Sequence, residues 1–172
     1  MYDCIIIGAG TAGMSAGIVS AQKKLKTLVI AKQVSKSVLD DETELVKFSD
    51  VEKKFEKTLH DESEVLEFKE TEVISIEKNV VSFSVEIKNG EIIYSRSIII
   101  ATGKVGADFD GITDKDQEGK IKVDANMVTN VEGVYAIGGA NNAYHHNVMI
   151  GVGEAAKAVA GVGKFLNNKP NE

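Results

Sequence analysis

A chain of 172 residues with 43% hydrophobic composition suits one domain with a sizeable core, since a domain near 150 residues buries roughly 70% of its unfolded surface. The net charge is −6 and Lys and Arg are scattered, which argues against nucleic acid or an anionic membrane as the main partner. The single cysteine, Cys4, excludes an intramolecular disulfide and a redox dithiol, and no apolar run approaches the roughly 20 residues that a membrane helix needs.

Met1-Tyr2-Asp3 leads straight into an apolar run without a basic segment, so no signal peptide is expected and the cytoplasm is the expected location. Cys4-Ile5-Ile6-Ile7 predicts a strand, with Cys4 as a small buried apolar residue. Gly8-Ala9-Gly10-Thr11-Ala12-Gly13 follows, then a small-residue helical stretch, then a second strand at Thr27-Leu28-Val29-Ile30. This is one βαβ unit around a G-x-G-x-x-G turn. Gly8 suits the tight turn, Gly10 lets the backbone come against a pyrophosphate, and Gly13 lets the helix pack close to the sheet. The free N–H groups and dipole at the helix start favour a phosphate. The competing reading is a tight strand-to-helix turn with no ligand. It draws support from Ala31-Lys32-Gln33, which stands where the fingerprint expects an acid to bind a ribose hydroxyl.

Residues 31–50 are polar and without clear period, and read as a loop over one side of the site. Within it, Asp40-Asp41-Glu42 reads as solvated acids and not a metal cluster, because consecutive side chains diverge and no His or Cys lies nearby. Asp50 to His60 predicts a helix with Asp50 as N-cap, Val51, Phe55, Thr58 and Leu59 on one face, and His60 structural. Glu64 to Tyr94 changes to a period of two. It predicts a short parallel strand and then a three-stranded antiparallel meander, turning at Lys78-Asn79 and, between strands Val81–Lys88 and Glu91–Tyr94, at Asn89-Gly90, and covering one face of a parallel sheet.

Ser97 to Gly103 predicts a strand buried on both faces, and Ala101-Thr102-Gly103 at its carboxyl end is placed to approach a ligand. Lys104 to Glu118 is irregular, Lys120 to Asp124 reads as a short strand, and Gly133 to Gly139 as another buried strand. Ala140 to Asn147 holds Tyr144, His145 and His146. These can act as acid or base, but a polar, helix-capping loop is the favoured reading, and two adjacent His are too few for a zinc site. Val148 to Leu166 predicts the last helix, with Asn147 as N-cap. No internal repeat and no G-x-S-x-G elbow occurs.

Three motifs in series resemble the FAD domain of the two-dinucleotide-binding flavoproteins, and most closely the thioredoxin reductase family. They are Gly8 to Gly13 in its βαβ unit, Ile98-Ile99-Ile100-Ala101-Thr102-Gly103, and Thr129 followed by Ala136-Ile137-Gly138-Gly139. The resemblance implies an α/β, three-layer FAD/NAD(P)-binding Rossmann-like fold, with a central parallel sheet and a three-stranded antiparallel meander. It implies one FAD-binding domain over residues 1–172, with FAD held at Gly8, Gly10, Thr11, Ala12, Gly13, Lys32, Ala101, Thr102, Gly103, Gly138, Gly139, Asn147 and Val148. The N-terminus of the last helix would face the flavin and favour charge on its reduced form.

The chain also departs from that family. The family inserts an NADPH domain bearing Cys-x-x-Cys after the A-T-G strand, where this chain has only Lys104 to Asp124. Gly139 stands where the family has an Asp, so both carboxylates that hold FAD are missing; Asn141 or Asn142 is the expected replacement acceptor. The implied function is a small flavoprotein oxidoreductase served by a diffusible reductant or an electron-transfer partner protein, with homodimers common among relatives. The alternatives are a non-catalytic nucleotide-binding or regulatory subunit, and NAD(P) in place of FAD with Lys32 drawing a 2′-phosphate. No catalytic side chain is assigned.

Overall fold

A computed structural model of the chain describes residues 1–33, 47–103, 109, 111–143 and 147–168. Asp40-Asp41-Glu42, most of the irregular stretch 104–110, and Tyr144, His145 and His146 lie outside the described residues.

Five parallel strands form the central sheet: β1 (Cys4–Ile7), β2 (Thr27–Ala31), β3 (Leu66–Glu70), β7 (Ile98–Ile100) and β8 (Val134–Ala136). Their spatial order is β3-β2-β1-β7-β8. The apolar runs form these strands because both faces of the sheet are covered. Alternate residues of one strand enter two different cores. Cys4 and Ile6 of β1, Val29 of β2, Ile99 of β7 and Tyr135 of β8 pack under helices α1 (Thr11–Gln22), α2 (Phe48–Asp61) and α3 (Val148–Asn168). Ile5, Ile7, Leu28, Ile30, Ile98, Ile100, Val134 and Ala136 pack under the antiparallel meander of β4 (Val73–Lys78), β5 (Phe83–Ile87) and β6 (Ile92–Ser95). The three-layer α/β architecture of the sequence reading is therefore present.

The helix layer is tight because α1 is built from small residues. A Cβ at Gly17 would lie 2.9 Å from the Phe55 ring of α2. α2 presents the expected face, with Val51, Phe55 and Thr58 buried, but begins earlier than the sequence suggests. Lys47 holds the N-cap place without a side-chain bond, and Asp50 sits in the first turn, where an acid suits the helix dipole. Asn147 does cap α3: its Oδ1 accepts from the Ile150 N–H at 2.8 Å.

Two boundaries in the meander and one strand need correction. β5 starts at Phe83, leaving Val81 exposed, and β6 starts at Ile92. Lys120 to Asp124 is not a strand: Ile121 makes only isolated bridges to Lys115 and Asn141. Flanking aspartates bend the chain instead. Asp116 Oδ1 accepts from the N–H groups of Glu118 and Lys120, and Asp124 Oδ1 from those of Asn126 and Val128. Such side-chain bonds compete with a strand ladder.

The two edges of the sheet differ. The incoming chain covers β8, where the Thr129 N–H donates to the Val134 carbonyl and the Ala136 N–H to the Met127 carbonyl. β3 is the opposite edge, and it carries Glu67, Lys69 and Glu70.

Candidate functional site

The carboxyl ends of β1, β2, β3 and β7 open into one cavity of about 500 Å³, within the range of small-molecule sites. Gly8, Gly10, Lys32, Ala101, Thr102 and Gly103 line it, together with Thr71, Glu72, Val73 and Phe109. The remaining sequence-selected residues are not part of its lining. Thr11, Ala12 and Gly13 form the first turn of α1. Gly138 and Gly139 lie in the 3₁₀ turn Gly138–Ala140 after β8, and Asn147 and Val148 at the start of α3. The two groups meet at Ala12: a Cβ at Gly138 would come within 2.9 Å of the Ala12 Cβ, and one at Gly151 within 3.3 Å.

The three glycines of the turn have different reasons. Gly8 has φ +112°, and a Cβ there would lie 2.3 Å from the Ala101 carbonyl oxygen. A Cβ at Gly13 would lie 2.0 Å from the Gly8 carbonyl oxygen. The fold alone requires both. Gly10 has φ −81° and, among the described residues beyond its chain neighbours, no atom within 4 Å of its Cβ place. Neither backbone conformation nor packing among the described residues asks for glycine there, which leaves room for a ligand to approach closely. A tight turn without a ligand accounts for Gly8 and Gly13, and Gly10, the N-cap of α1, is compatible with either reading.

Two further features fit a phosphate-bearing ligand. Gly10 gives α1 no side-chain cap, and no acid lies in the first turn, so its leading N–H groups are open to another acceptor. The Thr102 Oγ1 is buried and, like the Ser20 Oγ, has no hydrogen-bond partner among the described residues. Buried hydroxyls are normally paired, so this one is suited to a bound group.

Other side chains behave differently from their sequence reading. Lys32 is not a free cation: its Nζ lies 2.6 Å from the Glu72 Oε1. Asn141 does not offer a replacement acceptor to the cavity. It is fully buried, its Nδ2 donates to the Ala136 carbonyl and to Glu154, and its Oδ1 accepts from the Ala143 N–H. The Asn142 Oδ1 accepts from the Val123 N–H. Cys4 is buried, and desolvation pushes its thiol up to about 12, which suits an inert core residue.

Three residues near the site escaped the sequence reading. Glu72 enters the cavity from the turn between β3 and β4. The Lys120 Nζ donates to the Gly139 carbonyl, placing a cation where relatives are expected to hold an acid. Glu154 is buried and accepts from the Gly138 N–H at 2.6 Å, fixing the 3₁₀ turn. Only Glu154 left a signal: it is an acid on the buried helix face of Gly151, Ala155, Ala158 and Val162. Among the described residues no cluster of three or more metal-ligating side chains occurs, and no helix is long and apolar enough to cross a membrane.

Comparison with known proteins agrees with this geometry. The model of the pyridine nucleotide-disulphide oxidoreductase family matches residues 2–115 and, in a second alignment, 37–160. An alkyl hydroperoxide reductase subunit of Staphylococcus aureus is 30% identical over 109 residues, which cover 59% of this chain and 21% of that protein. The aligned stretch is thus about a fifth of the length of that relative. The thioredoxin reductase of Streptococcus pyogenes superposes with a TM-score of 0.82 at 16% identity, over 98% of this chain and 99% of that one. That of Lactococcus lactis gives 0.78 at 15% identity, over 98% and 100%. A ferredoxin-flavin thioredoxin reductase from Clostridium acetobutylicum gives 0.82 at 16% identity, over 96% and 97%. At such identities the likeness is one of fold. By family model and fold together, this chain belongs to the pyridine nucleotide-disulphide oxidoreductase family, with the architecture of a thioredoxin reductase-like dinucleotide-binding domain.

Proposed function

We propose that the chain is a FAD-binding oxidoreductase domain that exchanges electrons with a diffusible reductant or a partner protein. The observation that carries this is Gly10, which lines the cavity with open space at its Cβ among the described residues, at a helix start without a side-chain cap. Gly10 and the N–H groups of Thr11, Ala12 and Gly13 would hold the pyrophosphate. Ala101, Thr102 and Gly103 would form the floor, with the Thr102 hydroxyl as a donor. Gly138, Gly139, Asn147 and Val148 would meet the flavin end, where the α3 dipole favours negative charge. A bound flavin supplies the redox chemistry, and the protein supplies position, electrostatics and exclusion of water.

With Cys4 the lone cysteine, and buried, the domain has no dithiol of its own to pass electrons on. Electron exchange with a separate donor or acceptor is part of the proposal, and the subunit nature of the alkyl hydroperoxide reductase relative is in keeping with it. Pairing as a homodimer belongs to the same proposal. Ala31 and Gly139, in place of two acids, favour one second reading: a nucleotide-binding regulatory subunit with weakened FAD affinity.

The deciding experiment is the absorbance spectrum of the purified protein with mass analysis of the small molecule released on denaturation. Yellow protein releasing FAD supports the proposal, and anaerobic bleaching by NAD(P)H would then identify the donor. Colourless protein that takes up ADP but no added FAD would establish the regulatory reading instead.

A further inference from the structure

We propose that Glu72, held by Lys32, is the carboxylate that the nucleotide's ribose meets, and that it replaces the acid absent at Ala31. This rests on the reading of the cavity as a dinucleotide site.

Ribose recognition in such folds needs an acceptor at the end of the second strand. β2 ends there in Ala31, which has none. β3 runs parallel beside it, with Ala31 paired to Glu70. The Thr71 N–H donates to the Ala31 carbonyl at 2.9 Å, so the chain leaving β3 passes directly alongside the β2 end. The Lys88 N–H donates to the Glu72 carbonyl at 2.9 Å and fixes the backbone on the other side. Glu72 consequently lines the same cavity as Ala31 and Gly10.

The Lys32 Nζ, 2.6 Å from the Glu72 Oε1, fixes the carboxylate and keeps it ionised by holding its pKa below the usual range. A carboxylate offers about four acceptor positions, so one bond from Lys32 leaves capacity for ribose hydroxyls. The pair also changes what the rim selects. A lone Lys32 would attract a 2′-phosphate, whereas a neutralised Lys32 beside an acid disfavours one. The site is therefore specific for the unphosphorylated ribose of FAD or ADP. A solvent-exposed ion pair of this kind contributes little to stability, so substitutions of it test binding without unfolding the chain.

The test compares ADP, 2′-deoxy-ADP and 2′,5′-ADP by calorimetry, and FAD by fluorescence quenching, on the wild-type chain, Glu72→Gln and the exchanged pair Lys32→Glu/Glu72→Lys. The wild type should bind ADP about ten- to a hundredfold more tightly than 2′-deoxy-ADP, the worth of one hydrogen bond to a charged group. Glu72→Gln should lose that preference with an unchanged melting midpoint, and the exchanged pair should prefer 2′,5′-ADP. An undiminished preference for ADP in Glu72→Gln overturns the inference while FAD binding by the wild type upholds the site. Failure of the wild type to bind either FAD or ADP overturns both.

Discussion

Gly10 precedes α1 with an ordinary backbone conformation and open space at its Cβ, and Asp is itself a favoured helix N-cap. Gly10→Asp should therefore keep wild-type stability in urea unfolding, within a few tenths of a kcal/mol. It should lose all FAD binding, because a carboxylate then occupies the place and the charge of the phosphate. Gly13→Ala should behave oppositely, unfolding about 1–3 kcal/mol more easily from overpacking against the Gly8 carbonyl. Flavin retained by the Gly10 variant would put the anchor elsewhere. Cys4 makes a second prediction. Burial raises its thiol from the ordinary 9.0 to about 12, and Tyr135 rises from 10.0 to about 12, also chiefly by burial. The folded chain keeps protons that the unfolded chain gives up, so these groups' contribution is full below pH 9 and is lost as the pH climbs towards 12. Urea midpoints should fall across that alkaline range, and Cys4→Ala should fall less steeply. Equal slopes in the two proteins would remove Cys4 from the account.

Among the elements, α3 offers the most direct check, because one identified bond closes its start. Asn147→Ala removes the acceptor for the Ile150 N–H and should cost about 1 kcal/mol of stability by denaturant titration. An unchanged midpoint would mean that the cap contributes nothing. This cap was legible in the sequence, as were β1, β2 and β7, because a small polar residue before an apolar helix and continuous β-branched runs are local signals. Lys120 to Asp124 misled for a local reason too: its alternation mimics a strand, while Asp116 and Asp124 take up the neighbouring N–H groups. The glycine turn was equally readable, since its pattern is contained in six consecutive residues. Glu72 and Lys120 were not. Their places depend on the β2–β3 register and on the loop that returns to Gly139, contacts between residues far apart in sequence.

For the whole molecule, ligand and fold should be linked by mass action. A ligand that binds only the native chain adds about 2.7 kcal/mol at a hundredfold excess over its Kd. For a domain of this size each kcal/mol is worth about 2–4 °C, so FAD should raise the melting midpoint by roughly 5–11 °C. The Gly10→Asp chain should show no rise, and an equal rise in both proteins would place the FAD outside the glycine turn. The two cores on either face of one sheet mean that the same strands serve both layers, so this transition should be cooperative. The unequal edges of that sheet carry a consequence for assembly. The chain at Met127 and Thr129 already occupies the free side of β8, whereas β3 presents Glu67, Lys69 and Glu70 along an edge with no further strand among the described residues. For the central sheet, strand addition is thus open at β3 alone among the described residues, and the charges of Glu67, Lys69 and Glu70 oppose it there.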